Sequence, residues 1–270
     1  MKNFSIVLFT AVISLIVTSC SQNAITGRKQ LALISDSELT NMAKQEYQTF
    51  LSQNKVVSAS ASKDAEMVRR IGQRLTTAIT KYYSEKGLSK ELEGYEWEYN
   101  LVDSKEANAW CMPGGKIVVY TGLLPITQNE AALAVVMGHE IAHALAKHGN
   151  ERMSQTMLAQ GLQVVGGVVT SGNAQVSNIF NNVYGPAAQV GVLLPNSRKQ
   201  ELEADRFGLI FSALAGYNPQ EAITLWQRME QAAGSSKPPE FLSTHPAEST
   251  RIQKLQQLMP EALKYYKPMN

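Results

Sequence analysis

The chain is expected to fold as an α+β protein that is mainly α. Three observations point there. Several long stretches carry apolar residues at helical spacing behind capping residues, only one region alternates like a sheet, and no internal repeat breaks the chain into modules. With 270 residues and 44% hydrophobic content it can bury one sizeable core.

In chain order, the first helix opens at Ser35, which forms a capping-box pattern with Glu38, and runs to about Ser52. Residues 54–62 read as a Ser/Ala-rich linker. A second helix spans about Lys63 to Lys86, with Val68, Ile71, Leu75, Ile79 and Tyr82 on one stripe and Gly87 as its stop. Tyr95–Val102 and Lys116–Tyr120 read as strands, with Pro113-Gly114-Gly115 as a turn before the second. An apolar helix follows over Ala131–Ala146, with Thr127 and Glu130 as its capping box and Gly149 as its stop. Residues 161–195 are rich in Gly, Asn and Val and almost free of charge. They read either as a core helix plus surface loop or as a mobile or membrane-touching lid. The last third is helical: Ser197–Ala215 stopped by Gly216, a helix begun by Asn218-Pro219, and a final helix from His245-Pro246 to about Met259.

The N-terminus reads as a targeting signal over residues 1–19. Lys2 is a short basic region, and Phe4–Val17 is apolar over about 14 residues, short of the ~20 that span a bilayer as a helix. The run ends in Val17-Thr18-Ser19-Cys20, which resembles a bacterial lipobox, so Cys20 is a candidate lipidation site and membrane anchor; the plainer reading is an ordinary cleaved signal. Residues 20–30 are expected as a polar tether and 31–270 as a single domain. Lipid attachment to a cell-envelope membrane facing the periplasm is the expected location, and Ser21 favours the outer membrane. A lipidated Cys20 leaves Cys111 without a disulfide partner.

The net charge of +2 provides no footprint for nucleic acid, and no nucleotide partner is expected. The chemistry concentrates in His139-Glu140-Ile141-Ala142-His143, inside the apolar helix. Residues four apart share a helix face, so His139 and His143 can grip one metal ion. Glu140, about 100° around the helix, can reach a water beside that ion as general base. Two of the four histidines in the chain lie in this motif. Catalytic zinc usually takes three protein ligands plus water. His148 lies nine residues past His139, about 900° along a continuous helix, and so on the opposite face. It reads as a helix C-terminal residue favoured by the macrodipole. Glu201 and Asp205 are the better candidates: they share a helix face, so a carboxylate ligand at 201 leaves Asp205 able to orient a ligating imidazole. Glu203 points away from both. The plain reading of this stretch is a solvated charged helix.

The ordered set of motifs resembles the M48 family of zinc metallopeptidases, the gluzincins that include Ste24-like and HtpX-like enzymes and periplasmic quality-control proteases. The pieces are Ala24–Arg28, Asn108–Gly115, His139–His143, Glu201–Asp205 and Thr244-His245-Pro246 with Arg251-Ile252, covering roughly residues 25–252. Trp110 and Cys111 depart from the smaller or different apolar residues common there. The resemblance implies a zincin-like fold with a small β-sheet edging the active-site cleft. It implies one Zn2+ per chain held by His139, His143 and Glu201, with Glu140 as general base and Asp205 behind a ligand. His245, the remaining histidine, is a candidate oxyanion donor, a latch over the site, or a simple cap. The strand around residues 107–112 is expected to edge the cleft, with Asn108 and Ala109 pairing with substrate main chain. Cys111 reads as a buried small hydrophobe rather than a nucleophile. The implied function is a zinc-dependent endopeptidase acting on misfolded or misassembled cell-envelope proteins. The rival is a zinc-stabilised, chaperone-like lipoprotein with little turnover.

Overall fold

The structure is a computed structural model that describes residues 20–160, 174–184, 197–234, 239–245 and 250–268. The expected signal segment 1–19 lies outside them, as does most of 161–195.

In chain order the elements are β1 (Cys20–Gln22), β2 (Lys29–Leu31), α1 (Asp36–Gln53), β3 (Val56–Val57), α2 (Lys63–Glu85), β4 (Glu98–Val102), β5 (Ala109–Met112) and β6 (Lys116–Tyr120). There follow α3 (Leu124–Thr127), α4 (Glu130–Leu145), α5 (His148–Ala159), α6 (Ala174–Tyr184), α7 (Ser197–Leu214), α8 (Glu221–Ala233), α9 (Glu240–Thr244) and α10 (Arg251–Leu263). The architecture is α+β and mainly helical, as the patterning requires. Among the described residues no helix is long and apolar enough to cross a membrane.

The main sheet has the order β3-β4-β6-β5, with β4 and β6 parallel and the other pairs antiparallel. Its central strand β6 is buried along its whole length, and its side chains alternate between two cores. Ile117 and Val119 face the helices α2, α4, α7, α8 and α10; Val118 and Tyr120 face α1, α5 and α6. A strand covered on both faces reads as a continuous apolar run, which is why Lys116–Tyr120 stands out in the sequence. Its one charge, Lys116, is 2% exposed and is held by the Glu96 carbonyl at 2.7 Å and the Glu98 carboxylate at 2.6 Å.

Ser35 and Ser62 cap α1 and α2 through hydroxyls that accept the amides of Glu38 and Ala65. In α2 the buried stripe is Val68, Ile71, Leu75, Ile79 and then Tyr83, not Tyr82, since Tyr83 is four residues past Ile79. The turn at Pro113-Gly114-Gly115 joins β5 to β6, and Gly114 and Gly115 take φ of 79° and 85°, which glycine adopts without strain.

The expected polar tether is a folded hairpin. β1 and β2 pair antiparallel, with Cys20 opposite Leu31. Asn23 and Gln30 are buried, and Asn23 Nδ2 donates to the Leu145 carbonyl at 3.0 Å, serving an end of α4. The sequence lacks an apolar run here because the segment is fixed by polar docking.

Of residues 161–195, the described part is α6, whose Val176, Ile179 and Phe180 are buried against the second core. For those residues the core-helix reading holds.

Candidate active site

The helix α4 begins at Asn129, whose side chain accepts the Ala132 amide, rather than at Thr127, which ends the short α3. Nearly every residue from Ala132 to His143 is buried, as expected for a helix apolar on all sides. α7 crosses it at backbone contact. A Cβ placed on Gly208 meets the His139 backbone N at 2.8 Å and Cα at 2.9 Å, and one on Gly138 meets the Gly208 carbonyl at 2.9 Å. That close approach brings Glu201 and Asp205 beside His139 and His143. In an ordinary helix Gly→Ala gains about 0.5–1 kcal/mol. Here the added methyl meets backbone that cannot yield, at a cost of about 1–3 kcal/mol. Gly208→Ala is therefore expected to lower both the melting temperature and the zinc content of the purified protein; values equal to wild type would show that α4 and α7 have slack.

The metal-donor atoms converge. His139 Nε2 lies 3.0 Å from His143 Nε2 and 3.4 Å from Glu201 Oε2, and His143 Nε2 lies 3.2 Å from Glu201 Oε1. His245 Nδ1 completes the group, 3.2 Å from His139 Nε2 and 2.9 Å from Glu201 Oε1. All four residues offer donor atoms within 4.8 Å of one another. Tetrahedral zinc with bonds of ~2.0–2.1 Å sets its donors about 3.3 Å apart, so this donor set fits zinc in kind and spacing.

Behind the donors stands a shell of partners. His139 Nδ1 is 3.0 Å from Asp205 Oδ1. Arg251, fully buried over the Trp226 ring at 3.7 Å, contacts Glu201 Oε2 at 3.0 Å and Asp205 Oδ1 at 2.7 Å. In the sequence Arg251 is marked only as part of a motif, and nothing there shows what it holds.

Charge and burial set the protonation states. Burial pulls His139 down, but Asp205 and Glu201 outweigh it and raise it to about 9, so the site favours positive charge at that point. Burial alone pushes the Glu201 carboxyl up, yet His245 and His143 hold it well below the usual carboxylate range. Burial likewise raises Asp205, and Arg251 and His139 bring it below its ordinary value. Glu140 differs. Burial pushes its carboxyl up despite His245 and His139, and its Oε1 is buried without a hydrogen bond, 3.3 Å from His245 Nε2.

His148 and Glu203 correct the sequence reading. The helix does not continue to Gly149. It ends at Leu145, Lys147 takes a left-handed φ of 56°, and His148 begins α5. Nine residues lead to the opposite face only along one continuous helix. His148 is instead fully buried with Nδ1 2.8 Å from His143 Nδ1 and Nε2 3.0 Å from Glu203 Oε2. Lysine is an unusual residue for a left-handed position, so nothing in the sequence announces the break. Glu203 does point away from Glu201 and Asp205, but toward His148 and Arg28.

His245 also sits differently from its expected place. It ends α9 rather than opening the final helix, which starts at Arg251. Its ring stacks on Phe241 with centroids 4.5 Å apart. β5 is the edge strand, as expected, but Asn108 is 4% exposed and its Oδ1 accepts the Ala109 amide at 2.8 Å. The adjacent Ala107 carbonyl accepts the Phe241 amide at 3.0 Å. The segment carrying His245 thus lies along the edge where substrate was expected. Cys111 is buried, and burial together with Glu140 pushes its thiol well up, leaving it inert.

Fold and donor set together fit a zinc metallopeptidase domain that carries H-E-x-x-H, with Glu201 brought beside the two histidines. The Peptidase family M48 profile matches residues 63–259, and the chain belongs to that family. It is 37% identical over 168 residues to the mitochondrial metalloendopeptidase OMA1 of Schizosaccharomyces pombe, covering 62% of this chain and 48% of that protein. It is 30% identical over 264 residues to the mitochondrial metalloendopeptidase OMA1 of Bos taurus, covering 94% and 48%. It is 32% identical over 164 residues to the beta-barrel assembly-enhancing protease of Escherichia coli, covering 58% and 33%. The chain spans about half the length of the OMA1 relatives or less.

These relatives overturn the expected location. Proteins named as mitochondrial metalloendopeptidases in two yeasts, a plant and vertebrates are among its relatives, so similarity does not uphold a periplasm-facing bacterial membrane as the location. A short apolar leader ending in cysteine is an address whose meaning depends on the machinery that reads it, so it could not decide the compartment.

Proposed function

We propose that this chain is a zinc endopeptidase in which His139, His143 and Glu201 hold the metal, Asp205 and Arg251 position them, and Glu140 is the general base. The observation that carries the reading is the convergence of two imidazoles and a carboxylate on one point, with a buried Glu140 oxygen beside it that makes no hydrogen bond. Bound zinc acidifies water and polarises a carbonyl. Glu140, its carboxyl raised by burial, takes the proton of the attacking water and returns it to the leaving amine. The Asp205 carboxylate accepts His139 Nδ1–H and so leaves Nε2 to face the metal position.

Substrates are proposed to be misfolded or misassembled membrane-associated proteins, whose extended main chain pairs along β5. Support comes from the bacterial relative, named a beta-barrel assembly-enhancing protease. Cleavage of unfolded casein by the full chain, lost on chelation and restored by zinc, tests the reading; no cleavage at full zinc occupancy would favour a chaperone-like holding protein.

A resting, closed state is favoured by one specific arrangement. His245 stands at the fourth donor corner while Phe241 bonds to the Ala107 carbonyl beside the edge strand. His245→Ala is expected to raise casein cleavage several-fold by opening the site. A fall in kcat would instead assign His245 to stabilising the oxyanion.

A further inference from the structure

A buried polar cluster outside the metal donors joins α4, α5, α7 and the N-terminal hairpin. It contains His148, Glu203, Arg28, Glu151 and Gln200. Its hydrogen bonds run inward from the hairpin and end on a residue of the proposed zinc site.

At the outer end, Arg28 leaves the hairpin loop and forks over two carboxylates. Its NH1 and NH2 donate to Glu151 Oε1 and Oε2 at 2.6 Å each, and its Nε donates to Glu203 Oε1 at 2.8 Å. Gln200 Nε2 fastens Glu151 further at 2.7 Å. A guanidinium fork engaged on both edges is planar and stiff, so Glu203 is held in one place. An ionised carboxylate only accepts hydrogen bonds. The His148 nitrogen 3.0 Å from Glu203 Oε2 must therefore be the donor, so His148 carries its proton on Nε2. A neutral imidazole with Nε2–H has a lone pair on Nδ1, and that lone pair lies 2.8 Å from His143 Nδ1. It can only be satisfied if His143 donates from Nδ1. His143 then has its lone pair on Nε2, the atom that faces His139 and Glu201. The opposite tautomer would place a proton where the metal belongs.

We propose that Arg28, Glu203 and His148 form a relay that sets the tautomer and ring direction of His143 for metal binding. His148 is thus a positioning residue. It does for His143 what Asp205 does for His139, with an imidazole inserted between carboxylate and ligand. The relay also explains why the hairpin is docked where it is, since it fastens residues 28–31 to the metal centre through three side chains.

The proposal rests on the ligand assignment of His139, His143 and Glu201, and the test separates the two. Zinc affinity of the purified full chain is measured by competition with a chromogenic chelator. Histidine tautomers are read from imidazole 15N shifts of the zinc-free and zinc-loaded protein. His148→Ala is expected to weaken zinc binding about 10–100-fold, the usual effect of losing a partner behind a ligand. It also removes the single Nδ1–H pattern of His143. His148→Gln restores most of the affinity, because its amide oxygen accepts from His143 while its nitrogen donates to Glu203. Arg28→Ala shifts affinity in the same direction by less. Should His148→Ala fail to fold, Glu203→Ala interrupts the same relay nearer the surface. Unchanged affinity and tautomer in His148→Ala or Glu203→Ala, with only a lower melting temperature, would overturn the relay as mere packing. Unchanged zinc affinity in Glu201→Ala would instead retire the ligand assignment beneath it.

Discussion

Glu140→Gln is expected to leave zinc in place and to reduce protein cleavage by about 10²–10⁴-fold, the range for loss of a positioned acid–base group. Gln has the same shape and fits the same buried slot, so the donors around it need not move. It lacks a basic oxygen. In the native site burial raises the Glu140 carboxyl, which makes it a better proton acceptor, and its Oε1 has no hydrogen bond to compete with proton transfer. Zinc content and casein cleavage measured on one preparation decide the matter. Cleavage that persists at full zinc content would sink the hydrolase reading.

Glu201→Ala is expected to empty the site. The carboxylate supplies the negative charge of the proposed set and bridges both imidazoles at 3.2–3.4 Å. Its loss should cost more affinity than the ~10–100-fold that follows loss of an outer partner. A second effect runs alongside. Arg251, 4% exposed, keeps Asp205 but loses one of its two carboxylates, and a buried charge with less compensation destabilises the fold. Glu201→Gln separates these, because it keeps volume and a hydrogen-bond acceptor for Arg251 while removing the charge. Both variants should lose zinc in elemental analysis, and the alanine variant alone should show the larger fall in melting temperature.

How much is legible in the sequence follows from what each signal depends on. The helices α1 and α2 are readable because their signals are local: the Ser35 cap and the run Val68, Ile71, Leu75, Ile79 depend on near neighbours alone. Spacing places His139 and His143 on one helix face and Glu201 and Asp205 on another, but it does not say that the two faces meet; only the resemblance to a known family implies that. The left-handed Lys147 is not readable, because tertiary packing overrides the preference of that residue and turns the chain there. The places of His148 and Glu203 depend on that turn, since an unbroken helix would carry His148 to the far side. Asn129 displaces Thr127 as the cap because α3 and its left-handed Gln128 intervene. The hairpin escapes notice because Asn23 and Arg28 dock by polar contacts, which leave no periodic trace.

The four donors come from positions 139, 143, 201 and 245, with His139 and His245 separated by 106 residues. No short segment of the unfolded chain contains more than two of them, so the cage exists only once distant parts have assembled. Metal binding is then linked to folding: zinc rewards the native topology and not its fragments. Each tenfold rise in free zinc above its dissociation constant adds about 1.4 kcal/mol to the folded state. On the proposed ligand assignment, removing zinc is therefore expected to lower the melting temperature as well as the cleavage rate, and a compartment that withdraws the metal would weaken the fold that held it.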